Sequence, residues 1–362
     1  MQHRHRPFIL KHLVPAALLW PSVAWSHAAE QGFVLLLPTD LYTGAGVVAV
    51  ALTLAVLVAL PARAALAVFG TLKLRRLRSP RLVMATSCLS AALLIALIMV
   101  GLNGPRDPLG NPLPLMVWTV FWIALVSVQG IFGNLWVYFN PLTGPLALFG
   151  RVGHARLPAR WGAWPAVFGF MAFSYVLLAD PAPSDPERLA RIVGFYWVTS
   201  FAMALTFGPR WLVQGEVFTV LMRAYGRVAI FNVGRVGVPG WRVASARVPL
   251  AVAVLSVFLL ATGSFDGLNE TFWWLGLLGI NPFEYPGRSG VILSSSLGII
   301  AANVGLLFLF GFVLWLGHRL VGAQRAPLLQ LYAPTLIPIA LGITLRITCR
   351  VSWLTVNTPW WL

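Results

Sequence analysis

The sequence predicts an all-α, polytopic membrane protein: one transmembrane bundle of about eight helices, with an amphipathic helix on its cytoplasmic side. Three observations carry this. Of the 362 residues 59% are hydrophobic and only 10% charged, whereas a soluble domain carries about 25% charged residues. Apolar runs of about 20 residues, enough at a rise of about 1.5 Å per residue to cross the hydrocarbon core of a bilayer, recur along the chain. The basic residues behind the net charge of +16 fall on alternate connections. That is the positive-inside pattern, and it points away from a nucleic-acid partner and towards membrane lipid.

Residues 1–28 open with His3, Arg4, His5, Arg6 and Lys11, run through the apolar Leu13–Trp25 and end on small residues around Ser26 and Ala28. This reads as a cleaved signal peptide, because Pro15 and Pro21 weaken an uncleaved helical anchor. Cleavage after Ser26 would expose His27, whose amine and ring together form a candidate metal chelate. Asp40 then follows Pro38 and Thr39 as a helix cap or as part of an outer vestibule.

Spans are expected near 41–60, 82–102, 117–139, 163–179, 192–208, 248–265, 290–317 and 328–345, all in a single membrane domain over 29–362. The mature N-terminus is expected on the outer side of the membrane. Lys73, Arg75, Arg76, Arg78 and Arg81 follow the first span, and Arg223, Arg227, Arg235, Arg242 and Arg247 precede the sixth, on the same side. The predicted outer connections hold Arg106, Arg188, Arg191 and Arg288 alone. Proline- and glycine-rich turns, NGPRDPLGNPLP (Asn103–Pro114), DPAPSDP (Asp180–Pro186) and NPFEYPG (Asn281–Gly287), punctuate those outer loops.

Glu216 is the only acid assigned to the inner side. It sits in Trp211–Phe231, which reads as an amphipathic helix at the membrane surface with Glu216, Val220, Arg223 and Arg227 on one face. The spacing allows a partly buried Glu216–Arg223 contact, or a basic helix held by anionic headgroups. Gln129, Asn134 and Asn140 are placed along the third span and Asn303 in the seventh, either as interhelical glue or as the lining of a polar path. In the outer loop FDGLNETFWW (Phe265–Trp274), Asp266 and Glu270 are one helical turn apart. They are candidates to share a divalent metal or to divide acid and base roles. The alternative is a helix start capped by Asp266, with Trp273 and Trp274 at headgroup level.

Cys88 and Cys349 stand far apart without CxxC or histidine spacing, which predicts neither a disulfide nor a zinc site. Neither HExxH, GxSxG nor a P-loop is present.

At GNLWVYFNP (Gly133–Pro141), PAPSDPERLA (Pro181–Ala190), WLVQGEVFTVLMR (Trp211–Arg223), FDGLNET (Phe265–Thr271) and APTLIPIAL (Ala333–Leu341) the chain resembles the bacterial membrane proteins named fenitrothion hydrolases. The resemblance implies hydrolysis of aryl phosphotriesters. It supplies no catalytic set that transfers residue by residue, although Glu216 and Asp266 match motif positions. The family's span after APTLIPIAL carries histidines, whereas Gly342–Val351 reads GITLRITCRV. A shortened or frame-shifted C-terminal segment accounts for that departure and puts histidine-dependent activity in doubt. Two functions follow as expectations. One is a hydrolase acting at Asp266 and Glu270 with a divalent metal. The other is a non-enzymatic permease, or an accessory subunit bound to other membrane proteins, in which Glu216 links a polar path to the inner surface.

Overall fold

The computed structural model describes residues 79–341, apart from 151, 233, 244–246, 270, 282–286 and 322–326, together with scattered positions between 44 and 73. The signal peptide, His27, Asp40, Glu270 and the segment after residue 341 lie outside the described residues. Residues Ala62–Ser352 make one compact unit that holds every element named below. In the other unit, the described positions between 44 and 59 are helical.

The fold is an all-α bundle. Among the described residues five helices are long and apolar enough to cross a membrane. These are α1 (Pro80–Asn103), α2 (Pro112–Phe132), α6 (Pro186–Phe207), α9 (Leu250–Leu268) and α11, whose regular part is Ile292–Val321. Two shorter apolar helices accompany them, α5 (Trp164–Leu178) and α12 (Leu328–Leu341). Between the long helices lie α3 (Trp136–Phe139), α4 (Thr143–Leu148), α7 (Pro209–Gln214), α8 (Val217–Tyr225) and α10 (Phe272–Leu277). A small sheet completes the unit. Its strands β1 (Leu72–Lys73), β2 (Phe231–Asn232) and β3 (Arg235–Val236) run antiparallel in the order β1-β3-β2.

Helix limits follow from proline and glycine. α2 begins after Asn111, whose side chain accepts from Leu113 N at 3.1 Å, with Pro112 supplying a φ suited to the first turn. α6 begins in the same way. Asp185 caps it by accepting from Arg188 N at 2.8 Å, and Pro186 follows. α6 ends at Gly208 (φ 71°) and α2 at Gly133 (φ 91°), conformations that a Cβ would penalise.

The ends of the helices sort the connections onto two sides. Among the described residues, one end of the unit holds those of 104–111, 179–185 and 269–281, and the other holds those of 133–163 and 208–249. α9 is the central helix, 61% buried along its most apolar stretch, whereas α1, α2, α6 and α11 are only 17–22% buried there. The outward faces of those four carry exposed apolar side chains such as Phe195, Leu297 and Phe308, the surface expected of helices solvated by lipid.

Two expectations change at the second end. The third span does not continue to 139. It stops at Gly133, so that Gln129 lies in α2 while Asn134 and Asn140 lie in the chain that turns back after it. The helix over 211–231 is likewise not continuous. Gly215 and Glu216 break it into α7 and α8. α8 does not lie on a surface, because Val217, Val220, Leu221, Met222, Ala224 and Tyr225 are all buried. They pack against Val126 of α2, Val167 and Phe170 of α5, Val254 and Phe258 of α9 and Ile337 of α12. Gly169 lets α8 approach closely, since a Cβ there would overlap the Val217 side chain.

Candidate functional site

The break between α7 and α8 creates a buried polar centre. Glu216 is 1% exposed and is the N-cap of α8. Its carboxylate accepts from Phe218 N at 2.9 Å and Thr219 N at 2.7 Å, and also from the Thr219 and Tyr196 hydroxyls. All four groups facing it are donors, and the partial positive charge of the α8 N-terminus adds to them. Tyr196 lies near the midpoint of α6, so this centre is placed deep in the bundle rather than at its rim.

The network extends outward with full accounting of donors and acceptors. The Thr219 hydroxyl spends its hydrogen on Glu216 and accepts from Trp136 Nε1 at 3.2 Å and Asn140 Nδ2 at 2.9 Å, filling both lone pairs. Asn140 Oδ1 accepts from Leu142 N at 2.9 Å, and its backbone carbonyl accepts from the Ser87 hydroxyl of α1. Ser87 in turn accepts from Gly144 N at 2.6 Å. Buried Gln129 ties the same turn to α2, accepting from Trp136 N at 2.9 Å. One carboxylate therefore organises contacts among α1, α3, α4, α6 and α8.

Arg223 is not its partner. It leaves the opposite end of α8, about 10 Å away along the axis, and donates instead to the Val213 carbonyl at 2.9 Å. There it lines a cleft of about 800 Å³ together with Arg227, Arg235 and Arg242. Asn134 lines the same cleft, with a buried side-chain oxygen that has no donor. Arg242 donates to Asn232 Oδ1 at 2.8 Å, and Asn232 donates to the Gly226 carbonyl, so β2 is fastened to the end of α8. No carboxylate lines the cleft among the described residues. Burial, followed by the neighbouring charges of Arg242 and Arg223, lowers the Arg227 guanidinium from its ordinary value; burial and then Arg223 act in the same direction on Arg242.

Asp266 lies elsewhere. It sits partly exposed in the last turn of α9, not at a helix start; the start that follows belongs to α10, where the Thr271 hydroxyl accepts from Trp274 N at 3.2 Å. Trp274 packs edge-on against Phe265, while Trp273 is exposed. Among the described residues, no three histidines, cysteines, aspartates or glutamates stand close enough to share a metal ion. Asn303 is buried and donates to Thr262 Oγ1 at 3.3 Å, joining α11 to α9 as interhelical glue.

The structure thus brings Asn134 and Arg223 together and separates both from Glu216 and Asp266. Sequence reasoning missed Tyr196 and Thr219 as partners of Glu216, and it read the arginines as orienting the chain, pairing with Glu216 or meeting lipid headgroups, not as the lining of one cleft. One signal was present for the arginines, since no acid interrupts them between 217 and 265; Glu216 is not a residue type that N-cap rules favour, so its capping role was not signalled. Comparison with protein-family models, curated proteins and solved structures finds no match to this chain.

Proposed function

We propose that the protein is a permease of the bacterial inner membrane, with the arginine-lined end in the cytoplasm and no hydrolytic role. The observation that carries this is the break at Gly215–Glu216. It sets a helix N-terminus and a satisfied buried carboxylate beside the midpoint of α6, behind a cleft that opens at the arginine-rich end. Non-helical backbone at membrane depth is tolerated where protein or a polar cavity surrounds it, and broken helices are the usual construction of transporter sites. The excess of arginine at this end supports its cytoplasmic placement. In this reading Glu216 holds α8 in place while the cleft receives the solute. The hydrolysis implied by the family resemblance would instead use Asp266, some 20 Å further along α9.

The test is uptake of labelled phosphate, sulfate and small carboxylates into proteoliposomes. Uptake should persist in Asp266→Asn and fall in Glu216→Gln, with tryptophan fluorescence used to confirm that each variant is folded. Failure to take up any of these solutes would overturn the proposal. Metal-stimulated nitrophenol release from fenitrothion, lost in Asp266→Asn, would replace it with a hydrolase.

A further inference from the structure

We propose that the cleft beside α8 binds a phosphate monoester, holding the phosphate on Arg223, Arg227, Arg235 and Arg242 and the attached organic group against its apolar wall. The inference concerns binding alone and does not depend on transport.

Four guanidinium groups face one cleft with no carboxylate among its described lining residues. Arg227 and Arg242 are partly buried there, beside the exposed Arg223 and Arg235, and like charges brought this close repel one another unless an anion joins them. Two of the arginines are braced by the protein, Arg223 on the Val213 carbonyl and Arg242 on Asn232. Arg227 and Arg235 have no hydrogen-bond or ion-pair partner among the described residues. The cluster therefore has fixed members that hold its shape and unspent donors that can meet a ligand.

The number of donors selects the ligand class. A carboxylate offers two oxygens in one plane and a single charge, whereas a phosphate monoester offers three terminal oxygens in a tetrahedral array and up to two charges, and so can engage more forks from more directions. The volume, about 800 Å³, far exceeds what one oxyanion fills. The remaining wall includes Phe132, Leu135, Val213, Phe231 and Val252, with Phe132 and Phe231 stacked at a centroid distance of 6.1 Å. An organic group on the phosphate would cover that surface. A soluble sugar or glycerol phosphate and the headgroup of phosphatidic acid share this chemistry.

The experiment titrates the purified full-length protein with glycerol 3-phosphate in detergent, and separately measures its binding to nanodiscs with and without phosphatidic acid. Buried Trp241, whose ring lies 5.9 Å from the Arg242 guanidinium, provides the fluorescence signal. Binding of either ligand is expected to weaken about tenfold or more in Arg227→Gln, and chloride at matched ionic strength should not reproduce it. Saturation by glycerol 3-phosphate identifies a soluble ligand; a response confined to phosphatidic acid identifies a headgroup. Ligand-free Arg227→Gln should be at least as thermally stable as the native protein, because the substitution removes an unpaired charge. Absence of binding to both probes overturns the proposal, as does a variant that is destabilised yet binds normally. Phosphate-ester binding without any uptake would leave this site standing while removing the permease, and uptake without such binding would do the reverse.

Discussion

Replacing Glu216 by glutamine tests whether one carboxylate holds the re-entrant pair α7–α8 in the bundle. The change preserves size but leaves a single amide oxygen for four donors: two backbone N–H groups and the hydroxyls of Thr219 and Tyr196. The oxygen can accept two of them, and the new NH2 group faces the rest as a fellow donor. Each buried donor left unmet costs about 1–3 kcal/mol, so a loss of about 3–5 kcal/mol is expected for the pair together with the weakened cap. Tyr196→Phe removes one of those donors at the outset. It should therefore cost less in the Glu216→Gln background than alone, with a coupling of about 1–2 kcal/mol. Unfolding of the four proteins in mixed micelles by SDS titration, followed by far-UV circular dichroism, measures both quantities. A Glu216→Gln protein within about 0.5 kcal/mol of native stability, with additive effects in the cycle, would refute the carboxylate's organising role.

Thr219→Val strands the Trp136 and Asn140 donors and one donor-acceptor pair with Glu216, so it should destabilise by about 2–4 kcal/mol in the same assay, while Thr219→Ser should cost much less. Gly133→Ala forces a Cβ into a backbone with φ 91° and against the Phe231 carbonyl; a loss of at least about 1–2 kcal/mol is expected, and native-like stability would count against the tight turn after α2. Arg188→Met leaves buried Asp180 without its bidentate partner, now held at 2.8–3.0 Å. Because the arginine is half exposed, the expected cost falls below the about 3–5 kcal/mol of a fully buried pair, at about 2–3 kcal/mol, whereas Arg191→Met, at the exposed pair with Glu187, should cost under about 1 kcal/mol by the same titration.

Much of the fold was legible because its physics is local. Pro112 after Asn111 and Pro186 after Asp185 start helices where the sequence reading put turns, and the long apolar runs form helices near their expected limits. The breaks were harder to read. Trp211–Phe231 has a helical period throughout, and nothing in periodicity alone distinguishes a surface helix from two short helices joined at Gly215–Glu216. For the same reason Asn140 passed as a residue of a span, although it belongs to the chain that folds back after Gly133.

The sequence by itself determined the all-α membrane class and which connections share a side, because hydropathy and arginine placement act against a solvent that is the same for every such chain. Only the tertiary structure decided that Glu216 meets Tyr196 rather than Arg223, and that Arg223, Arg227, Arg235 and Arg242 face one cleft. Those outcomes depend on where a buried polar group finds donors. In a low-dielectric interior that choice is made among side chains distant in sequence, not among neighbours on one helix.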